Sequence, residues 1–175
     1  MTLSAETQEH LRRRACFACE FCGVSETDAG GLLTVDHFQP KAKGGNDDSG
    51  NLLYCCARCN SYKLDYWPKH PEHPMLWNPR REPPTQHFLE LDDGRLHPST
   101  ATGAFTVLRL RLNRPALIAH RKRKRDAAEE VRALVLYRDL VQLIAQLLIQ
   151  QSALMEEQQR LLKEQQELLQ RLISD

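Results

Sequence analysis

The apolar pattern changes character along the chain. Residues 4–15 show a short helical spacing, with Ser4 and Thr7 as candidate caps and Arg12 to Arg14 near the C-terminal end, where cations suit the helix dipole. In 16–60 the pattern becomes irregular and glycine-rich. Gly30-Gly31 and Gly44-Gly45 mark turns there, and Leu32-Leu33-Thr34-Val35 reads as a strand. Residues 68–84 hold six prolines, which rules out a helix or inner strand and predicts an extended arm around the core. His87 to Leu91, the turn Asp92-Asp93-Gly94, and Arg95 to His97 predict a small hairpin. Thr106 to Leu112 alternates, as a strand or the run into the next helix.

Pro115 suits the first turn of a helix, and no Gly or Pro follows it through Asp175. That breaker-free run is roughly 90 Å long if continuously helical. Within it Leu140, Leu147, Leu154, Leu161 and Leu168 recur every seven residues, each followed by an apolar residue (Val141, Leu148, Met155, Leu162, Leu169). With the leucines at d, the a positions are Ile144, Gln151, Gln158, Gln165 and Leu172. Apolar d and e with Gln at three a sites is a degraded coiled-coil seam. It predicts a homo-oligomer or a helical protein partner through 131–173. Folding back onto the chain's own domain and lying on a membrane surface are the alternatives.

Composition is that of a soluble protein, 41% hydrophobic and 27% charged, with only 6% aromatics for a core. The net charge of +1 hides an asymmetry. Residues 114–125 carry six positive charges and no negative one, while 126–175 carry five positive and nine negative, a net −4. The basic run Arg121-Lys122-Arg123-Lys124-Arg125 predicts contact with a phosphate backbone. The N-terminus opens with polar Thr2, Ser4, Glu6 and Glu9, so no secretory signal is expected. The apolar stretch around 140–149 is too short for a transmembrane segment. These features predict a cytoplasmic protein with reduced thiols, whose six cysteines serve metal rather than disulfides.

Cys19-x2-Cys22 and Cys56-x2-Cys59 are 33 residues apart. Two such turns complete a closed four-thiolate site, which suits zinc and leaves no open position, hence a structural role. Cys16-x2-Cys19 is also a CxxC, and Cys55 adjoins Cys56. Gly23 after Cys22 favours the Cys19/Cys22 register, with Cys16 and Cys55 as small buried hydrophobes.

Between the knuckles lie Asp36-His37, then Asn51 after 13 intervening residues, then Asn60 after eight more. With the Gly44-Gly45 turn, Asn51-Leu52-Leu53 and Lys63 three positions past Asn60, this set resembles the HNH endonucleases, specifically over 19–63. A weaker likeness to a bacterial stand-alone subgroup runs through Leu76-Trp77-Asn78-Pro79, His87-Phe88 and Leu112-Asn113-Arg114-Pro115. The resemblance implies an α+β fold: a small treble-clef ββα-metal core with a structural four-cysteine zinc site, followed by a long C-terminal α-helix. It also selects Cys19, Cys22, Cys56 and Cys59 as the zinc ligands. The domain division expected is 1–113, with its core at 16–65, and 114–175.

By position, the resemblance makes His37 the general base, Asp36 and Asn60 ligands of a catalytic divalent ion, and Asn51 the brace of the loop that orients His37. Asp36 and Asn60 stand where other members have His, and both still offer a metal ligand. Oxygen ligands suit Mg²⁺ or Mn²⁺. The chemistry is sensible on its own terms: imidazole can take water's proton near neutral pH, and a hard cation relieves charge on a phosphoryl group. Adjacent Asp36 and His37 would point to opposite faces of a strand, so the strand must end or bulge there if both serve one site. The bland alternative makes Asn60 a cap for the helix after Cys59.

Lys41, Lys43, Lys63 and Arg58 are candidate phosphate contacts, with Lys122 to Arg125 beyond them. His70, His73, His87 and His97 read as unpaired loop histidines. The function expected is metal-dependent hydrolysis of DNA phosphodiesters. The rival is a zinc module that binds nucleic acid without cutting, with a helical tail that recruits partners.

Overall fold

A computed structural model describes residues 3–174, with side chains through Arg171. Thr2, Asp175 and the side chain of Leu172 lie outside the described residues. The chain packs as two units, Met1–Lys124 and Arg125–Asp175.

The first unit opens with α1, Ala5–Arg14, where Ser4 Oγ accepts the Thr7 backbone N–H at 3.1 Å and Leu11 is wholly buried. A short helix α2, Glu26–Ala29, is capped by Ser25. Glu26 ties these helices to the sheet. It receives Arg12 Nε and Nη2 at 2.6 and 2.7 Å and the Tyr54 hydroxyl at 2.5 Å.

Strand β1, Thr34–His37, pairs antiparallel with β2, Leu52–Cys55, in an unbroken register from Thr34↔Cys55 to His37↔Leu52. The sequence pattern placed this strand at 32–35, two residues early. A strand persists only where its ladder has a partner, and opposite Thr34 the partner ends: Cys56 leaves the ladder to cap the next helix. Leu32 is accordingly 75% exposed, close after the left-handed Gly30. Helix α3, Ala57–Lys63, follows directly, with Cys56 Sγ accepting the Cys59 N–H at 3.4 Å. The result is a hairpin followed by a helix.

The proline-rich arm stays irregular up to a 3-10 turn at Pro84–Gln86, yet Leu76, Trp77 and Asn78 within it are buried. Strands β3, Phe88–Glu90, and β4, Leu96–Pro98, form the expected hairpin. Helix α4, Ala101–Arg109, covers most of the segment whose alternation suggested a strand. Thr100 caps it by accepting the Gly103 N–H at 3.0 Å, and buried Gly103, Thr106 and Leu110 recur at helical spacing. Thr106 Oγ1 accepts the Trp77 N–H at 2.8 Å, which pins the arm to α4. A Cβ at Gly103 would lie 2.3 Å from the His87 carbonyl oxygen, so only glycine lets the helix approach β3.

Helix α5 runs Pro115–Ser174. Its first turns bury Leu117, His120 and Arg121 within the first unit, which runs through Lys124. In the second unit every described residue from 126 to 171 is exposed, including the whole d/e series from Leu140 to Leu169. By length and composition alone, Pro115–Arg171 is apolar enough to cross a membrane, with an 18-residue window of mean hydropathy 1.3. The expectation of no such segment rested on 140–149 alone, a stretch shorter than that window.

Candidate active site

Both knuckles are built by backbone turns that present thiols to one point. In the first, the Gly23 N–H reaches the Cys19 carbonyl at 2.8 Å, the Cys19 N–H reaches Val24 at 2.9 Å, and Gly23 holds φ +74. In the second, Cys56 and Cys59 sit on the first turn of α3. The sulfurs of Cys19, Cys22, Cys56 and Cys59 all lie within 4.8 Å of one another, Cys22 and Cys56 at 3.7 Å. Hydrogen bonding with Cys19 lowers the Cys56 thiol and raises those of Cys22 and Cys59, while Cys22 in turn lowers Cys19. A divalent cation bound by all four thiolates removes that conflict, so this donor set fits structural zinc.

The remaining cysteines separate. Cys55 is wholly buried, and burial pushes its thiol up. Cys16 was expected to be buried and is exposed, at positive φ in the turn that follows α1. That turn reverses the chain toward the first knuckle and leaves the side chain on the outside.

His37 closes β1. Its Nε2 lies 2.7 Å from Asp47 Oδ1, and Lys41 Nζ meets Asp47 Oδ2 at 2.7 Å. The Lys41 ammonium first, then His37, holds the Asp47 carboxyl below its ordinary range. Asn51 braces the intervening loop from both directions. Its Oδ1 accepts the Gln39 N–H at 2.8 Å, and its Nδ2 donates to the carbonyls of Gln39 at 3.1 Å and Asn46 at 2.8 Å. A Cβ at Gly45 would fall 1.8 Å from the Gln39 carbonyl oxygen, so this loop closes only on glycine. Beside His37 runs a groove of about 580 Å³, lined among others by Arg12, Val35 and Tyr54.

Asp36 points the other way, as the unbroken strand register requires. Its Oδ2 lies 2.9 Å from Lys63 Nζ, whose side chain has no exposed surface. One turn earlier on the same face of α3, Asn60 Nδ2 donates to Thr34 Oγ1 at 3.5 Å. Thr34 and Asp36, two apart on β1, thus face Asn60 and Lys63, three apart on α3. Asp36 and Asn60 share the β1–α3 seam, whereas His37 is tied to the loop after it. The strand ends at His37 without a bulge. Asn60 is not a cap; Cys56 occupies that position.

Several expected phosphate contacts move. Lys63 is buried against Asp36 because its position on α3 faces the sheet. Arg121 is also buried: Nε donates to the Gly94 carbonyl at 2.6 Å and Nη2 to that of Leu112 at 2.8 Å, and burial lowers its pKa. On a helix packed along one side, one residue of a basic run must face inward. Arg58, Lys43, Lys122, Arg123 and Lys124 are exposed, Lys41 is exposed beside Asp47, and Arg125 is half-buried. His87, expected to be unpaired, is buried between Thr100 Oγ1 at 2.7 Å and Glu82 Oε2 at 3.1 Å.

Residues 19–74 match the family model described as HNH endonuclease. Over this segment the chain is similar to the HNH endonucleases. No curated protein and no solved structure matches the chain. The HNH segment contains both knuckles, Asp36, His37, Asn51 and Asn60. It also contains Asp47, which sequence reasoning missed. The acidic pair Asp47-Asp48 after the glycine turn was the available signal, but which carboxylate reaches the imidazole depends on how the loop closes.

Proposed function

We propose that this chain is a metal-dependent endonuclease that hydrolyses DNA phosphodiesters, with His37 as general base. The observation that carries this reading is the placement of His37 at the end of β1, tied to a loop locked by Asn51, in a chain that also gathers the four cysteines at one point. A bare binding module has no use for an imidazole so held.

In this reading His37 takes a proton from water, whose oxygen attacks phosphorus. The bond to the 3′-oxygen breaks, leaving a 5′-phosphate and a 3′-hydroxyl. Asp36 and Asn60, on their shared seam, would hold Mg²⁺ or Mn²⁺ through oxygen ligands, with one Asp36 oxygen already engaged by Lys63. When bound, that ion supplies charge relief to the phosphoryl and leaving oxygens. Lys43, Lys122, Arg123 and Lys124 offer exposed cations to the backbone, and Lys41 does so beside Asp47.

The exposed seam of α5 supports self-association or a helical partner through 131–173, since so large an apolar stripe is rarely left bare. The six free cysteines suit a reducing, cytoplasmic setting. The test is cleavage of plasmid DNA by zinc-loaded protein with Mg²⁺, Mn²⁺ or EDTA. Metal-dependent nicking or linearisation is expected. Binding without cleavage under any metal would instead favour the zinc module that only holds nucleic acid.

A further inference from the structure

Both oxygens of Asp47 are committed, one to His37 Nε2 and one to Lys41 Nζ, each at 2.7 Å. The carboxylate is brought there by a fixed loop. Asn51 holds the backbone at Gln39 and Asn46, and the Asn51 N–H donates to the Asp48 carbonyl at 2.8 Å. Asp47 therefore sits between two pinned points, and its approach to the imidazole is set by the loop rather than by a long mobile side chain.

An ionised carboxylate only accepts hydrogen bonds. The ring nitrogen facing it must then carry the proton, which leaves the lone pair of a neutral imidazole on Nδ1. The geometry points to Asp47 as a positioning residue that fixes His37 in its Nε2–H tautomer, so that Nδ1 is the atom that takes water's proton, with Lys41 holding Asp47 in turn. This deepens the reading of His37 as base and rests on it. The proton moves from water to Nδ1, Nε2 keeps its own, and Asp47 stays ionised opposite the imidazolium that forms.

Asp47 is 44% exposed, and an exposed ion pair adds little to folding. Its loss should therefore register in the ring and in turnover while the fold stays intact. The experiment uses the full zinc-loaded chain with ¹⁵N-labelled histidine, as wild type, Asp47→Ala, Asp47→Asn and His37→Ala. Ring ¹⁵N shifts report the tautomer, and plasmid cleavage with Mg²⁺ or Mn²⁺ reports kcat and KM. Wild type should show His37 as the Nε2–H form. Asp47→Ala should mix the tautomers and lower kcat about 10- to 100-fold with little change in KM, by analogy with the loss of a carboxylate that orients a metal-bound histidine. Asp47→Asn, whose amide oxygen still accepts, should recover part of both. Unchanged tautomer and unchanged kcat in Asp47→Ala, beside an inactive His37→Ala, would overturn the role of Asp47 and leave the base in place. Full cleavage by His37→Ala would overturn the base itself, and the ring shifts would still decide whether Asp47 sets the imidazole.

Discussion

Lys63 places its ammonium 2.9 Å from Asp36 Oδ2 while exposing none of its own side chain. A lysine so enclosed is held in place by its carboxylate, and the carboxylate by it. Removing either leaves a charge without a partner in the β1–α3 seam.

Lys63→Met should therefore cost about 3–5 kcal/mol, the range for breaking a buried pair from one side. Urea unfolding of the zinc-loaded protein measures it. Pairing the change with Asp36→Asn should return part of the loss, since no unpaired charge then remains. A cost for Lys63→Met below about 1 kcal/mol would mean that water reaches the pair.

The cysteines should divide by role. Cys16→Ser should retain one zinc per chain and wild-type stability, because Cys16 is exposed and outside the cluster. Cys56→Ser should lose zinc and the folded first unit together, because metal affinity here is folding energy. Zinc content by elemental analysis and near-UV circular dichroism check both.

The basic run should divide in the same way. Arg121→Ala strands the Gly94 and Leu112 carbonyls, at about 1–3 kcal/mol of stability. It should leave the salt dependence of DNA binding unchanged. Lys122→Ala and Lys124→Ala should each leave stability intact and reduce the log–log salt slope by about 0.9. Fluorescence anisotropy across a salt series separates the outcomes.

Glu26 gives the chain an acid-sensitive joint. The Arg12 fork, then the Tyr54 hydroxyl, holds its carboxyl at about 2, below the ordinary 4.5. A depressed folded pKa adds stability in full above the unfolded value and loses it as pH falls toward the folded one. The advantage of wild type over Glu26→Gln should thus be constant above about pH 5 and shrink from about pH 4.5 toward 2. Urea midpoints of the two proteins at matched pH test this. An advantage that grows on acidification would reverse the sign.

What was legible in the sequence depended on local chemistry. Helix α1, the β3–β4 hairpin, the start of α5 at Pro115 and the Cys19/Cys22 register all follow from caps, turn residues and spacing that neighbours in the chain supply. The hydrogen bonds of Asn51 to Gln39 and Asn46 lie within one short loop, close in sequence. What was hidden depends on partners distant in sequence. Alternation over 106–112 looks alike in a strand and in a helix end, and the Thr106–Trp77 contact decides it. Lys63 and Arg121 resemble surface cations until the face they occupy is known, and Asp47 resembles Asp48 until the loop closes.

In the proposed reading His37 carries metal-dependent cleavage. The most direct measurement is single-turnover cleavage of plasmid DNA by wild type and His37→Ala of equal zinc content, with Mg²⁺ or Mn²⁺ and with EDTA. Nicking or linearisation by wild type should need the divalent ion and fall at least about 100-fold in a still-folded His37→Ala. Equal cleavage by the two proteins would contradict it.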